Sequence, residues 1–159
     1  MDFKTGNKVV HKTHGVGVIC GVEAQNFGSD AQDYYLLKIV ETGMIIRFPK
    51  AANTSVIRNL ASDEEIAQIF GVLKSPPRAY SMVWNRRKKE LTEKIKSGSL
   101  MEIAEVVRDL SRLGTGKDLS FGEKEMLEKA KSRIINEISA AKSLGEAEVE
   151  LQLKEVLTH

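Results

Sequence analysis

The sequence lacks several features that would assign it to a common class. Its single cysteine, Cys20, cannot form a disulfide within the chain, so a reducing compartment is expected. It contains no run of about 18 apolar residues, which excludes a membrane-spanning helix. The residues after Met1 lack the apolar stretch of a secretory signal. We therefore predict a cytoplasmic, nucleoid-associated protein with no membrane partner.

The positive charge of the chain is concentrated in one stretch. The net charge is only +2, but residues 72–98 hold eight Lys/Arg and two Asp/Glu. A basic character spread over a whole protein indicates diffuse binding to polyanions, whereas a local cluster indicates one docking surface. The sequence therefore predicts a single basic surface.

The first 58 residues predict β-structure. Short runs of β-branched and aromatic residues alternate with turn-forming residues such as Thr13-His14-Gly15 and Glu41-Thr42-Gly43. The runs are Val9-Val10, Val16 to Val22, Tyr34 to Val40 and Met44 to Phe48. Four or five short strands in so few residues suit a small barrel or a strongly curved sheet. A further turn is predicted at Gly28-Ser29-Asp30.

The rest of the chain predicts helices. Three capping boxes, in which a serine is followed three residues later by a glutamate, mark helix starts at Ser62, Ser99 and Ser120. Ser75-Pro76-Pro77 ends the first helix, and a second is predicted from about Tyr80 to Lys96. We predict an α+β protein with a β domain at 1–58, a partly helical connector at 59–78 and a helical domain at 79–159.

One cluster combines the only tryptophan with four cations. Trp84-Asn85-Arg86-Arg87-Lys88-Lys89 lies at the start of the predicted second helix. Cations neutralise phosphates, and an aromatic wedge can enter a base step, so this composition is typical of a nucleic-acid contact. The alternative is a buried tryptophan beside a solvated basic face. Only Glu90 and Glu93 offset the cations nearby, which favours the nucleic-acid interpretation.

Other motifs do not support catalysis. Gly15-Val16-Gly17 is followed by strand-like residues rather than the helix of a dinucleotide site. Gly114-Thr115-Gly116-Lys117 lacks the Ser/Thr that a phosphate-binding loop needs after its lysine, and it is interpreted as a helix end. His11, His14 and Cys20 fall short of the four ligands of structural zinc. We predict no enzyme, no cofactor and no metal; a metal-dependent enzyme using His11 and His14 remains an alternative.

Several stretches, taken in their order and spacing, resemble the CarD/CdnL family of bacterial RNA-polymerase-binding transcription regulators. The N-terminal module of this family is shared with the transcription-repair coupling factor. The stretches are Phe3-Lys4, Gly6, Val9-Val10 and His14-Gly15; Arg47-Phe48-Pro49; Trp84 with Arg86, Arg87 and Lys89; Ala104 to Leu110; and Leu119-Ser120 with Glu123 and Met126-Leu127. Together they span roughly residues 3–157.

The resemblance implies a Tudor-like or SH3-like barrel that binds the β subunit of RNA polymerase, with Arg47 and Pro49 in the contacting strand. It implies that the helical domain contacts promoter DNA at the upstream edge of the forming bubble. Trp84, Arg86, Arg87 and Lys89 are the expected DNA contacts. We expect a monomer that stabilises the promoter open complex. A nucleic-acid-binding module without a polymerase partner, for instance one acting on structured RNA, is the alternative.

Overall fold

The chain divides into two compact units, Met1–Leu60 and Ala61–His159. A computed structural model describes residues 3–27, 30–52, 56–78, 84–116 and 118–158, of which 25–27, 30, 31, 52 and 84 are described by their backbone alone. Within these ranges, each helix is too short or too polar to traverse a lipid bilayer.

The first unit is a five-stranded antiparallel sheet. The order across the sheet is β4-β3-β2-β1-β5, so β4 and β5 are the outer strands. A 3₁₀ turn, Lys50–Ala52, follows β4. The strands are β1 Lys8–His11, β2 Gly15–Phe27, β3 Asp30–Ile39, β4 Ile45–Pro49 and β5 Ile57–Arg58.

The hairpin of β2 and β3 is longer than the sequence predicts. Pairing continues beyond Val22 and Tyr35 as far as Phe27 and Asp30. Among the side chains of this arm that the structure describes, Ala24, Gln32 and Asp33 are exposed, so they show no buried apolar alternation that would reveal the arm. Of the turn predicted at 28–30, residues 28 and 29 lie outside the described ranges, and residue 30 begins β3.

The inner face of the sheet packs around Tyr35, whose hydroxyl accepts a hydrogen bond from the Phe3 backbone N–H at 3.0 Å. Gly17 allows the chain to approach this core closely, because a Cβ there would lie 2.6 Å from Leu37 Cδ1. A bulge shifts the register of β2 and β3 between Ile19 and Gly21. The buried members of the cluster are Val9, Ile19, Tyr35, Leu37, Ile39, Phe48 and Ile57.

The second unit is helical, which confirms the predicted α+β class. Its helices are α1 Asp63–Lys74, α2 Trp84–Lys96, α3 Leu100–Gly116, α4 Phe121–Lys142 and α5 Glu146–Leu157. Complete capping boxes open α1 at Ser62 and α4 at Ser120. Before α3, Ser99 Oγ accepts a hydrogen bond from the Glu102 N–H at 3.4 Å. Gly98, at φ +74°, adopts a left-handed conformation between α2 and α3.

The predicted apolar stripes form the core of the helical unit. Ile103, Val107 and Leu110 of α3 are buried, as are Ala130 and Ile134 of α4. These residues belong to one cluster with Ala61, Ile66, Ile69, Leu73, Leu91, Ile95, Leu100, Ala104, Val106, Leu127, Ile138, Val149 and Leu153. The helices therefore pack through the apolar faces that the 3.6-residue periodicity of the sequence predicts.

The stretch predicted as a connector packs into the helical unit from Ala61 onward. The Ala61 N–H donates to Glu137 Oε2 at 2.8 Å, and Ile66, Ile69 and Leu73 of α1 join the helical core. The helix ends where expected, because Ser75 adopts an extended conformation before Pro76. The predicted boundaries at 58 and 78 stay a prediction.

Replacing Gly17 by alanine should destabilise the sheet unit, because the new methyl group would overlap the buried Leu37 side chain. We expect a loss of about 1–3 kcal/mol, the usual cost of overpacking a core. Urea denaturation followed by circular dichroism measures it. Gly21→Ala is the matched control in the same strand, since its Cβ would make an ordinary 3.6 Å contact with Leu36. Equal losses for the two variants would contradict the packing argument.

Candidate nucleic-acid interface

Helix α2 has one face toward the core of its unit and one toward solvent. Leu91 and Ile95 are the buried apolar residues among the side chains of α2 that the structure describes. Arg86, Lys89, Glu93 and Lys96 are exposed. Residues three or four positions apart share a helix face, so the buried and exposed residues form two separate stripes. Part of the predicted cation cluster therefore faces water.

The exposed cations at the start of α2 form what we call the basic surface: Arg86, Lys88 and Lys89. The first turn of this helix contains no acidic residue. Cations at a helix N-terminus are not stabilised by the helix dipole, so local stability does not explain their presence. An arrangement of this kind attracts phosphate groups.

Arg87 has a different environment from its neighbours. Its Nη2 donates a hydrogen bond to Glu123 Oε2 at 3.1 Å, and the two side chains are 15% and 3% exposed. The other oxygen of Glu123 accepts a hydrogen bond from the Ser120 backbone N–H at 3.0 Å. Arg87 therefore joins the first turn of α2 to the first turn of α4.

A second ion pair holds the other end of α2. Lys94 Nζ donates to Glu105 Oε2 of α3, and the lysine side chain is largely buried. Arg87 and Lys94 are seven residues apart, two helical turns, and both lie on the side of α2 that carries Leu91. Along the helix, Leu91 therefore lies between the two ion pairs.

The four predicted DNA contacts are therefore not equivalent in the structure. Arg86 and Lys89 share the exposed stripe, whereas Arg87 faces Glu123. Trp84 begins α2, but its side chain lies outside the described residues. The DNA contacts stay predictions. Glu123, the partner of Arg87, is not among the residues predicted for the site. Leu91 lies four residues after Arg87 and indicates that both share one face, but the sequence does not indicate what Arg87 contacts there.

Strand β4 presents the residues predicted to contact a protein partner. It pairs with β3 on one side, and no strand among the described residues pairs with its other edge. Ile45 is 60% exposed, and Arg47 lies two residues further along the same face. Pro49 ends the strand. A strand with an open edge and exposed apolar side chains is a ready site for a partner.

Arg47 forms an exposed ion pair within the sheet that contributes little to stability. Its Nη2 lies 3.1 Å from Glu23 Oε2 of β2, and the two side chains are 47% and 40% exposed. Solvent screens such a pair, which is worth about 0–1 kcal/mol. Arg47 can therefore exchange Glu23 for a carboxylate of a partner at small cost.

The two histidines serve the turn between β1 and β2. His11 Nδ1 accepts hydrogen bonds from the backbone N–H groups of Thr13 and His14 at 3.2 and 3.3 Å. Because this nitrogen is occupied by the turn, the pair is poorly arranged to share a metal. Within the described part of the chain, no group of three or more His, Cys, Asp or Glu could hold a metal ion. Gly114 to Gly116 lie in the last turn of α3.

An open sheet edge on one unit and a basic helix on the other are features of a regulator that binds other macromolecules. Comparison with known proteins agrees: residues 3–61 match the CarD-like/TRCF RID domain, and residues 68–154 match the CarD C-terminal domain. The chain is similar to YdeB of Bacillus subtilis (strain 168), named as a candidate transcription factor. The identity is 31% over 148 residues, 92% of this chain and 97% of that protein. The chain belongs to the CarD/CdnL family of transcription regulators.

Proposed function

We propose that the protein binds the β subunit of RNA polymerase through β4 and stabilises the promoter open complex through the start of α2. The observation that carries the proposal is the separation of α2 into two stripes. Leu91 and Ile95 face the core, whereas Arg86 and Lys89, which follow the only tryptophan within five residues, face solvent. Membership of a transcription-regulator family supports this interpretation.

On the polymerase side, the support is the open edge of β4. A partner strand can add to such an edge, with main-chain hydrogen bonds providing affinity and alternate side chains providing specificity. Ile45 offers an apolar contact, and Arg47 offers a charge-assisted one to a polymerase carboxylate. Pro49 limits the added pairing, because it has no N–H to donate.

On the DNA side, the basic surface has the composition of a backbone contact. Arg86 and Lys89 bind phosphates, which positions the protein without reading sequence. Few cations are present, so binding to free DNA is weak, and attachment to polymerase raises the effective concentration of the helical unit at the promoter.

Trp84 acts as a wedge in the minor groove where the strands separate. A side chain that contacts only the distorted DNA favours the melted complex by its difference in affinity for the two states. A difference of about 1.4 kcal/mol changes the population ratio tenfold. The protein therefore lengthens the life of the open complex without catalysing a chemical step.

Replacing Trp84 by alanine should shorten the lifetime of the promoter open complex and leave polymerase binding intact. The reason is that the wedge contacts DNA, whereas β4 contacts the polymerase. Open-complex decay after addition of a competitor measures the lifetime. Leu151→Ala, which removes an exposed apolar side chain on α5, is the control and should decay as wild type does. An unchanged lifetime for Trp84→Ala would remove the wedge from the mechanism.

Replacing Arg47 by glutamate should abolish co-purification with the β subunit, because the reversed charge repels the proposed carboxylate. Lys8→Glu, an exposed charge reversal on β1, should co-purify normally. The double variant Arg47→Glu/Glu23→Arg restores the internal pair alone and should not regain binding. Recovery in the double variant would mean that Arg47 acts within the sheet.

Capture of RNA species instead of polymerase subunits by the wild type would favour the module without a polymerase partner.

A further inference from the structure

We infer that Arg87 is a positioning residue: it holds α2 against α4 and so directs Arg86 and Lys89 to DNA, instead of binding a phosphate itself. This inference rests on the proposed function for its DNA part only. The contact between the two helices is a property of the free protein. The sequence-based expectation had grouped Arg87 with the direct DNA contacts.

Arg87 lies on the face of α2 that is turned toward the core. Leu91 and Ile95, four and eight residues later, are buried, so Arg87 extends the inward stripe by one turn. Each residue advances about 100° around a helix, which places Arg86 to one side of that stripe and Lys89 nearly opposite Arg87. Fixing Arg87 therefore fixes the direction in which the exposed cations point.

Glu123, the partner of Arg87, is buried and held by hydrogen bonds of its own. Glu123 is 3% exposed, and its two oxygens have separate tasks: Oε2 accepts from Arg87, and Oε1 accepts from the Ser120 N–H. The Glu123 N–H in turn donates to Ser120 Oγ at 3.2 Å. The capping box thus orients the Glu123 carboxylate independently of Arg87. Because the acceptor is preorganised, forming the ion pair costs little further side-chain entropy.

Releasing Arg87 from Glu123 would also be costly. If Arg87 turned to a DNA phosphate, it would break an ion pair whose carboxylate is buried, and separating the members of a buried pair is strongly unfavourable. Arg86 and Lys89 face solvent and need no such exchange. Phosphate binding is therefore assigned to Arg86 and Lys89, and Arg87 stays with Glu123 in the bound state.

The test compares three variants in DNA binding. They are Arg87→Met, Glu123→Gln and the double variant. Glutamine at position 123 can still accept a hydrogen bond from the Ser120 N–H, and the double variant leaves the net charge unchanged. Arg86→Met is the matched control. Loss of a phosphate contact lowers the slope of log affinity against log salt by about 0.9. We expect that loss for Arg86→Met. For Arg87→Met and the double variant we expect an unchanged slope but a lower affinity at every salt concentration, because the same phosphates are bound after α2 has been oriented.

The second measurement uses the free protein, in which Trp84 is the only tryptophan and lies three residues before Arg87. Arg87→Met and Glu123→Gln should lower the fluorescence anisotropy of Trp84 to a similar extent, because both release the first turn of α2. Arg86→Met should leave it unchanged. Arg87→Lys, which retains a cation for Glu123, should recover part of the signal.

Two results would overturn the inference. One is a fall of the salt slope by about 0.9 in Arg87→Met, as in Arg86→Met, which identifies a phosphate contact. The other is an unchanged Trp84 anisotropy in both Arg87→Met and Glu123→Gln. A third result separates the two proposals. If Arg86→Met and Lys89→Met leave the salt slope unchanged, while Arg87→Met and Glu123→Gln lower the Trp84 anisotropy, the contact between α2 and α4 stands and the proposed DNA contact fails.

Discussion

The carboxylate of Glu123 is the point on which the geometry of the basic surface depends. It caps α4 through Ser120 and pairs with Arg87 of α2, so one buried side chain links two helix starts. Helix α2 needs this link, because Leu91 and Ile95 are its buried apolar residues within the described side chains. The ion pairs of Arg87 and Lys94, which lie on the same side of the 13-residue helix as Leu91, restrict its rotation further.

The strength of that link comes from burial. An exposed pair such as Arg47 and Glu23 is screened by water and is easily exchanged, which suits a residue that is to meet a partner. The Arg87 and Glu123 pair is mostly removed from water, so separating its members costs far more than separating an exposed pair. The same type of ion pair therefore has opposite consequences on the two proposed surfaces: one is labile and the other is permanent.

Much of the fold could be predicted from local signals. The capping boxes at Ser62 and Ser120 and the stop before Pro76 act within a few residues, so the sequence contains their full cause. The outer arm of the β2 and β3 hairpin could not be predicted. Among its described side chains, Ala24, Gln32 and Asp33 are exposed and form no apolar alternation, so the pairing is visible only in the backbone register.

The candidate site was predictable in composition and less so in geometry. Trp84 and its cations are visible as a cluster, but a run of cations contains no information on which of them turns inward. That choice depends on Glu123, which is 36 residues away along the chain. The position of Leu91 would have indicated that Arg87 faces the core, yet not what it meets there. Such pairings between distant residues require the tertiary structure.

Each proposed contact is weak by itself. The basic surface has few cations, so the proposed binding to free DNA is weak and falls with salt. If β4 holds the polymerase as proposed, the DNA contact becomes intramolecular, and the effective concentration of the helical unit at the promoter rises without any added charge. An effective concentration by itself does not orient the tethered surface. Within the helical unit, the Arg87 and Glu123 pair fixes the direction of the exposed cations on α2, whereas a freely rotating α2 would spread them over orientations that do not meet the duplex.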